Sequence, residues 1–576
     1  MQKQKLRKGS FVVLAASLAL GTAACGNDDT NNANGSATAP TATASQASGT
    51  ASAAPKADPL GKYETPIEVT VGASVDTSVV FQKGEDIDNN VWTKEIESVL
   101  GIKIKHPFVV DETQYANKLN VIIASDELPD VTRVGAQQLR QLVEADAVLD
   151  LTEIYDQYGS EQLKKVLAED NGVAIGASTF KGKLMAIPIP NSADINDVLW
   201  VRQDWLDNLG LSAPKTMDEF FAIAKAFSEN DPDQNGKDDT YGFGINKSVN
   251  GWGLADAIGV FNGYGVYPEM WQEKDGKLAY GSIQPEVKDV LAKLADMYEA
   301  KILDPEFSVK DEATAAGDQA AQKGGMMYGA TWAPYYPLGD TIKNNAKARW
   351  VPVALPSADG SMAKDQVDPS PVGYYVVRKD AKNPEAALKL ANYFAKMEVE
   401  WDQDPALYAK FHDTEVDDGN GGKKKIELFK YAPVMVASTK VNLAIHQNLN
   451  KAIEAKDRNS LSASLQDDYD RIVSFMDKQD VNNWGDFAVF GPTGSYHIVD
   501  EAVKQNAVFL NAFTGGATET MGEKKKLLED LEVQTFTKII MGAAPVDEFD
   551  KFVEQWKSQG GQQITDEVNE WYASKQ

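Results

Sequence analysis

Between Gly26 and Pro59 the chain carries no Val, Ile, Leu, Met, Phe, Trp or Tyr, a break in composition that limits the fold more than any motif does. Ala, Ser, Thr, Asn, Gly and Pro bury too little apolar surface to offset the entropy lost on ordering, so the stretch is expected to be disordered. A packed body must therefore be built after it, where all eleven Trp and all twenty Tyr lie. At 576 residues two lobes are expected. The one cysteine, Cys25, excludes a disulfide within the chain, leaving packing and a bound metal as sources of stability. A net charge of -28 argues against nucleic acid and against flat contact with anionic lipid.

Ahead of the break, Lys3, Lys5, Arg7 and Lys8 precede the apolar run Phe11 to Leu20 and the small residues Gly21, Thr22, Ala23 and Ala24. That order reads as a secretory signal over residues 1–24. The run is too short for a hydrocarbon core that needs about 20 residues. Thr22-Ala23-Ala24-Cys25 resembles the bacterial lipobox, with Thr22 where Leu is usual. The resemblance implies diacylation of Cys25 with chains such as palmitate, and two chains suffice for stable attachment. Residues 25–62 then read as a lipid-anchored linker at the extracellular face of a bacterial membrane, spanning about 30 Å on average.

In the body, short apolar runs alternate with helical spacing. Ile67 to Val71 and Ile102 to Val110 predict strands, and Val91 to Leu100 and Tyr115 to Ala124 predict helices, giving a βαβ start and a parallel sheet. Val198 to Val201 predicts another strand, followed by a short helix closed at Gly210. Thr216 and Glu219 form a capping-box pattern ahead of Phe220, Ile223, Ala224 and Phe227. Further strands are expected at Gly325 to Ala330 and Trp350 to Leu355. Asn383-Pro384-Glu385 predicts a helix start with an Asn cap. Near the end, Phe549, Phe552, Val553 and Trp556 form one stripe and Ile564, Val568, Trp571 and Tyr572 a second, separated by Gly560-Gly561. The pattern is α/β throughout.

Signals for catalysis are poor. His106, His412, His446 and His497 show no metal-ligand spacing, and Gly-x-Ser-x-Gly is absent. Gly176 to Lys183 departs from a phosphate loop and predicts a hairpin. Asp231, Asp233, Asn235, Lys237 and Asp239 fall at alternate positions around Gly236, the layout in which a chain curls around calcium, with the Lys237 carbonyl as one ligand. Gly242 stands where a bidentate Glu would close the loop, so calcium is expected in a structural role, completed by water or Thr240. Trp252, Trp271, Trp332, Tyr335, Tyr336 and Trp484 have polar or turn-forming neighbours. Such aromatics suit carbohydrate, whose rings offer an apolar face for stacking and a rim of hydroxyls for hydrogen bonds.

The segment Gly325 to Trp332 resembles a signature of the extracellular solute-binding proteins of carbohydrate ABC importers. Arg202 to Asp207, the acidic loop 231–239, Ile302 to Phe307 and Thr535 to Gly542 resemble the subfamily of large lipoproteins similar to lipoprotein LplA. The resemblance covers residues 65–576. It implies a type II, two-lobe periplasmic-binding-protein-like α/β fold whose hinge-connected parallel-sheet lobes comprise residues 63–190 plus 356–430 and 191–355 plus 431–576. It also implies a monomer that captures an oligosaccharide between its lobes, with Trp332 on the cleft wall, and passes it to an ABC permease. Trp205 and Trp571 belong to motifs read as structural. A lipid-anchored polysaccharide-degrading enzyme and a sugar-sensing subunit of a signalling system are the alternatives.

Overall fold

Two separate apolar cores account for the architecture, and the chain visits each of them twice. The computed structural model describes residues 57–75, 79–191, 197–251, 253–417 and 423–575. The expected signal, Cys25, most of the polar linker and Trp252 lie outside them. Residues 56–576 form one unit. Within it, one core draws on residues from Val69 to Ile187 and from Tyr375 to Val436, the other on Leu199 to Ala363 and on Phe513 to Val568.

In the first lobe, strands Ile67–Thr70 and Ile102–Lys105 pair in parallel and are joined through the helix Val91–Leu100. The helix starts at Asn90, whose side chain accepts from the Trp92 and Thr93 amides while Thr93 bonds back to Asn90. The strand expected over 102–110 is split into Ile102–Lys105 and Val109–Asp111, because Pro107 has no N–H to give to a ladder. A parallel bridge from Val71 to Val131 leads to a second group of strands. There Gly373–Val377 runs antiparallel to both Val131–Val134 and Ile187–Ile189. The core centres on Trp92, which stacks on Phe394 at 5.6 Å and donates its indole N–H to the Leu428 carbonyl at 2.9 Å.

Helix Glu385–Gln403 corrects two expectations. Pro384 takes the cap position without a side-chain bond, and Asn383 supplies only its carbonyl, to the Ala386 amide at 3.1 Å. Two buried polar groups of this helix also hold the end of the linker. Lys389 donates to the Asp58 and Gly61 carbonyls at 3.1 and 2.7 Å, and Asn392 to the Pro59 carbonyl at 3.0 Å. Buried donors need acceptors, so residues 58–61 are docked on the lobe and the freely coiled linker does not extend to residue 62.

The second lobe is organised on the strand Gly324–Ala330, every residue of which is buried. It runs parallel to Tyr241–Phe243 and antiparallel to Asp197–Arg202 and Leu254–Asp256, and Trp350–Val353 covers the far side of Asp197–Arg202. Both sheets are therefore mixed. In each lobe one antiparallel strand enters from the other lobe: in the second, Asp197–Arg202 begins opposite Ala330, at the end where the central strand finishes. Helix Met217–Glu229 starts with the expected Thr216–Glu219 capping box and packs Phe220 and Phe227 on the sheet. Gly325 is required by this packing, since a Cβ there would lie 2.2 Å from the Phe227 ring and 2.8 Å from Trp205.

The Ile302 to Phe307 motif has a structural explanation. Asp304 and Asp318 enclose the Lys310 ammonium at 2.7 and 2.5 Å, and Lys323 reaches Asp318 from the surface at 2.6 Å. This network fixes the turn entering helix Glu312–Ala320. Of the two C-terminal stripes, Phe549, Phe552, Trp556, Ile564 and Val568 are buried, and Gly560 bends the chain between helices Glu548–Trp556 and Gln562–Ala573 with a φ of 130°.

Candidate ligand cleft

The central strand of the second lobe ends at Ala330 and delivers the turn that carries the exposed aromatics. Thr331 is held by the Ser495 hydroxyl, which donates to its carbonyl at 2.8 Å. Trp332 follows with 38% of its surface exposed, and Tyr335 and Tyr336 with 49% and 45%. Among the described residues these are the only Trp, Tyr or Phe side chains exposed to this degree. Tyr335 is fixed, not loose: its hydroxyl donates to Asp486 at 3.0 Å, and Arg471 braces the other Asp486 oxygen at 2.7 Å. Burial of the hydroxyl end, followed by the Asp486 and Asp468 charges, pushes the phenol well above its ordinary pKa while the ring face stays open. Gly485 lets that ring lie on helix Trp484–Phe490, since a Cβ there would sit 3.1 Å from it.

Two of the expected stacking residues are not available. Trp271 is 4% exposed, in the hairpin strand Trp271–Lys274, with its ring 5.3 Å from Tyr280 and 6.4 Å from Phe513. Trp484 is 5% exposed and belongs to the core of Trp200, Leu338 and Trp350. Both present polar neighbours along the chain but apolar neighbours in space, and neither keeps a free ring face for a sugar. Trp252 lies outside the described residues.

Beside the end of the central strand the fold assembles carboxylates that no local pattern announced. Asp197 begins a crossover strand, Asp256 ends the strand Leu254–Asp256, and Asp365 begins Asp365–Val367 on a second crossover. All three are buried. The Asp197 amide donates to the Asp365 carboxylate at 3.4 Å, so the two crossovers touch here. One oxygen each of Asp197 and Asp256 has no hydrogen-bond partner. Burial, then the Asp365 and Glu312 charges, push Asp256 up to about 8, and burial with the Asp256 charge drives Asp197 well above the carboxylate range. The sequence could not reveal the group, because its members lie on four distant segments.

The lobes also meet across the opening. Arg140, on helix Ala136–Glu144 of the first lobe, donates to the Ala517 carbonyl at 2.8 Å, and Gln137 donates to the Gly522 carbonyl beside it.

The acidic loop is curled as its spacing predicts, with positive φ at Asp231, Gln234 and Gly236. Asp231 accepts from the Asn235 and Gly236 amides, both at 3.0 Å. The Asn235 side-chain amide donates to Asp233 at 2.8 Å and to Asp239 at 3.0 Å, and its oxygen accepts from the Lys237 amide at 2.8 Å. Burial and the like charges of Asp239 and Asp231 push Asp233 up. Among the described residues no three His, Cys, Asp or Glu side chains stand in a metal-holding arrangement. Here the Asn235 amide fills the space between the carboxylates. An all-oxygen set that repels itself is the donor chemistry a hard cation relieves.

The family profile described as bacterial extracellular solute-binding protein matches residues 92–401, more than half of the chain. Lipoprotein LipO of Bacillus subtilis is 24% identical over 502 residues, covering 84% of this chain and 89% of LipO. The polygalacturonan/rhamnogalacturonan-binding protein YtcQ of the same organism is 26% identical over 487 residues, covering 83% of this chain and 87% of YtcQ. Among solved structures, the alginate-binding protein AlgQ2 superposes with a TM-score of 0.62 at 15% identity, covering 89% of this chain and 99% of that one. The fold is the two-lobe, type II arrangement.

Proposed function

Because the chain belongs to the bacterial extracellular solute-binding proteins, we propose that it captures an oligosaccharide between its lobes and delivers it to an ABC importer. The observation that carries this reading is the grouping of Trp332, Tyr335 and Tyr336 as the exposed aromatics of the described body, on one turn at the end of the central strand. Sugar rings stack on such faces, and contacts made only in the closed form draw the lobes together. Arg140 and Gln137 are placed to support that form from the first lobe. The closed monomer then docks on the membrane permease. YtcQ, by its name, binds polygalacturonan and rhamnogalacturonan, which supports carbohydrate as the ligand class.

The role proposed is binding without chemistry. Asp197, Asp256 and Asp365 sit beneath the surface, out of reach of a glycosidic bond. A glycan array followed by calorimetry tests the reading: an oligosaccharide should bind and be recovered unchanged, and Trp332→Ala should weaken it about tenfold or more while the Tm stays constant. Appearance of cleavage products from pure protein would overturn it.

Two further parts of the proposal concern Cys25 and the acidic loop. Diacylation of Cys25 would keep a captured sugar near its importer, and Cys25→Ser should abolish incorporation of labelled palmitate. Calcium would be held by Asp231, Asp233, Asn235, Asp239 and the Lys237 carbonyl, where it would neutralise the clustered charge and fix the turn after helix Met217–Glu229.

A further inference from the structure

A cavity of about 680 Å³ opens between the helix Glu519–Ile540 and the loops carrying Lys247, Asn250, Glu269 and Ser308. It shares no lining residue with the aromatic turn, and its size suits a small solute. Its lining carries Lys247, Lys526 and Lys538 together with Glu269, Glu529 and Asp530.

Asn250, 3% exposed, organises the inner end. Its amide nitrogen donates to Glu269 at 3.1 Å and to the buried Glu532 at 2.7 Å. Because that nitrogen serves two carboxylates, the amide cannot be turned over. Its oxygen is therefore committed to the opposite direction, where it is buried with no partner. Glu532 also accepts from the Tyr280 hydroxyl at 3.4 Å. The nearby lysines are engaged elsewhere, Lys526 with Asp530 at 2.8 Å and Lys525 with Glu529 at 3.6 Å. Among the described residues no Lys, Arg or His forms an ion pair with Glu269 or Glu532. Glu269 lines the cavity, and burial with the Glu529 charge pushes its pKa up to about 7 against the Lys525 and Lys526 charges. The backbone is strained at both loops, with φ of 53° at Val249 and 64° at Glu269, and such strain persists only where the surroundings impose it.

Glu269 thus offers the cavity a carboxylate held in no ion pair, and Lys247 and Lys538 offer donors. We propose that this cavity binds a hydroxylated solute bearing a primary ammonium, the chemistry of an amino sugar. The ammonium sits against Glu269, and the hydroxyls face Lys247 and Lys538. This site goes beyond the stacking turn and does not depend on it.

The test is calorimetry on the intact protein with three probes: glucosamine, glucose and putrescine. Glucosamine should bind about tenfold or more tighter than either of the others, because only it supplies both the charge-assisted bond and the hydroxyls. Glu269→Gln should remove that preference while oligosaccharide binding through Trp332 persists. Glucose or putrescine matching glucosamine, no glucosamine binding, or a preference that survives Glu269→Gln would each overturn the assignment. Loss of binding in Trp332→Ala alone bears on the cleft and not on this cavity.

Discussion

Asp304 and Asp318 are about as buried as Asp197 and Asp256, and all four belong to the second lobe, yet their surroundings are opposite. The first two close around the Lys310 ammonium, with Lys323 completing the network. The second two face Asp365 and Glu312, and each keeps an oxygen without a partner. Compensated burial of charge makes a staple. Uncompensated burial makes a group that must hold protons, and here it lies where two of the three crossovers between lobes touch.

Removing the cation from the staple should have the largest effect. Lys310→Ala leaves Asp304 and Asp318 facing each other in a buried site, and the cost should be about 3–5 kcal/mol, read from the urea midpoint. A shift below about 1 kcal/mol would mean that the network contributes little.

The second prediction separates the two groups by pH. Hydrogen bonds and charges from Lys310 and Lys323, working against burial, hold Asp318 below its ordinary value. Its contribution is present above the unfolded pKa and is lost as pH falls through the lower folded one. Asp256 has the reverse sign: pushed up to about 8, it binds its proton more tightly in the folded protein. Stability is therefore lost as pH rises from about 4 to about 8, with a slope of up to about 1.4 kcal/mol per unit. The groups facing Asp256 are Asp197, Asp365, Glu312 and the Tyr328 hydroxyl. Asp256→Asn should raise stability more at pH 8 than at pH 5, the two effects differing by about 1–3 kcal/mol. An unaltered pH profile in this variant would dissolve the contrast.

The smallest effect is expected at the acidic loop, an exposed cluster between these extremes. Chelation of calcium should lower Tm by about 1 °C for each kcal/mol of linkage, and Asp231→Ala should abolish the response. A chelator-insensitive Tm in calcium-loaded protein would remove the metal from the loop.

Local chemistry was readable without the fold. The Thr216–Glu219 box, the Gly210 stop, the kink at Gly560 and the curl at 231–236 all depend on neighbours within a few residues, and each stands as its residues predict. Readings that required knowing what lies across space failed. Trp271 and Trp332 have similar polar neighbours in the chain, but one is packed against Phe513 and the other faces solvent. Asn383 beside Pro384 has the composition of a cap and supplies only a backbone carbonyl. Residues 58–61 follow directly on the polar stretch and are held by Lys389 and Asn392, more than three hundred residues away.

The sequence by itself determined where a packed body could exist, that it alternates helix and strand, and which family its motifs resemble, because composition and spacing act within a few turns of chain. Only the tertiary structure decided which aromatics are free to stack and which carboxylates share a buried site. The burial of Trp271 and the meeting of Asp197, Asp256 and Asp365 are set by groups brought together from distant segments, and no short window of sequence contains them together.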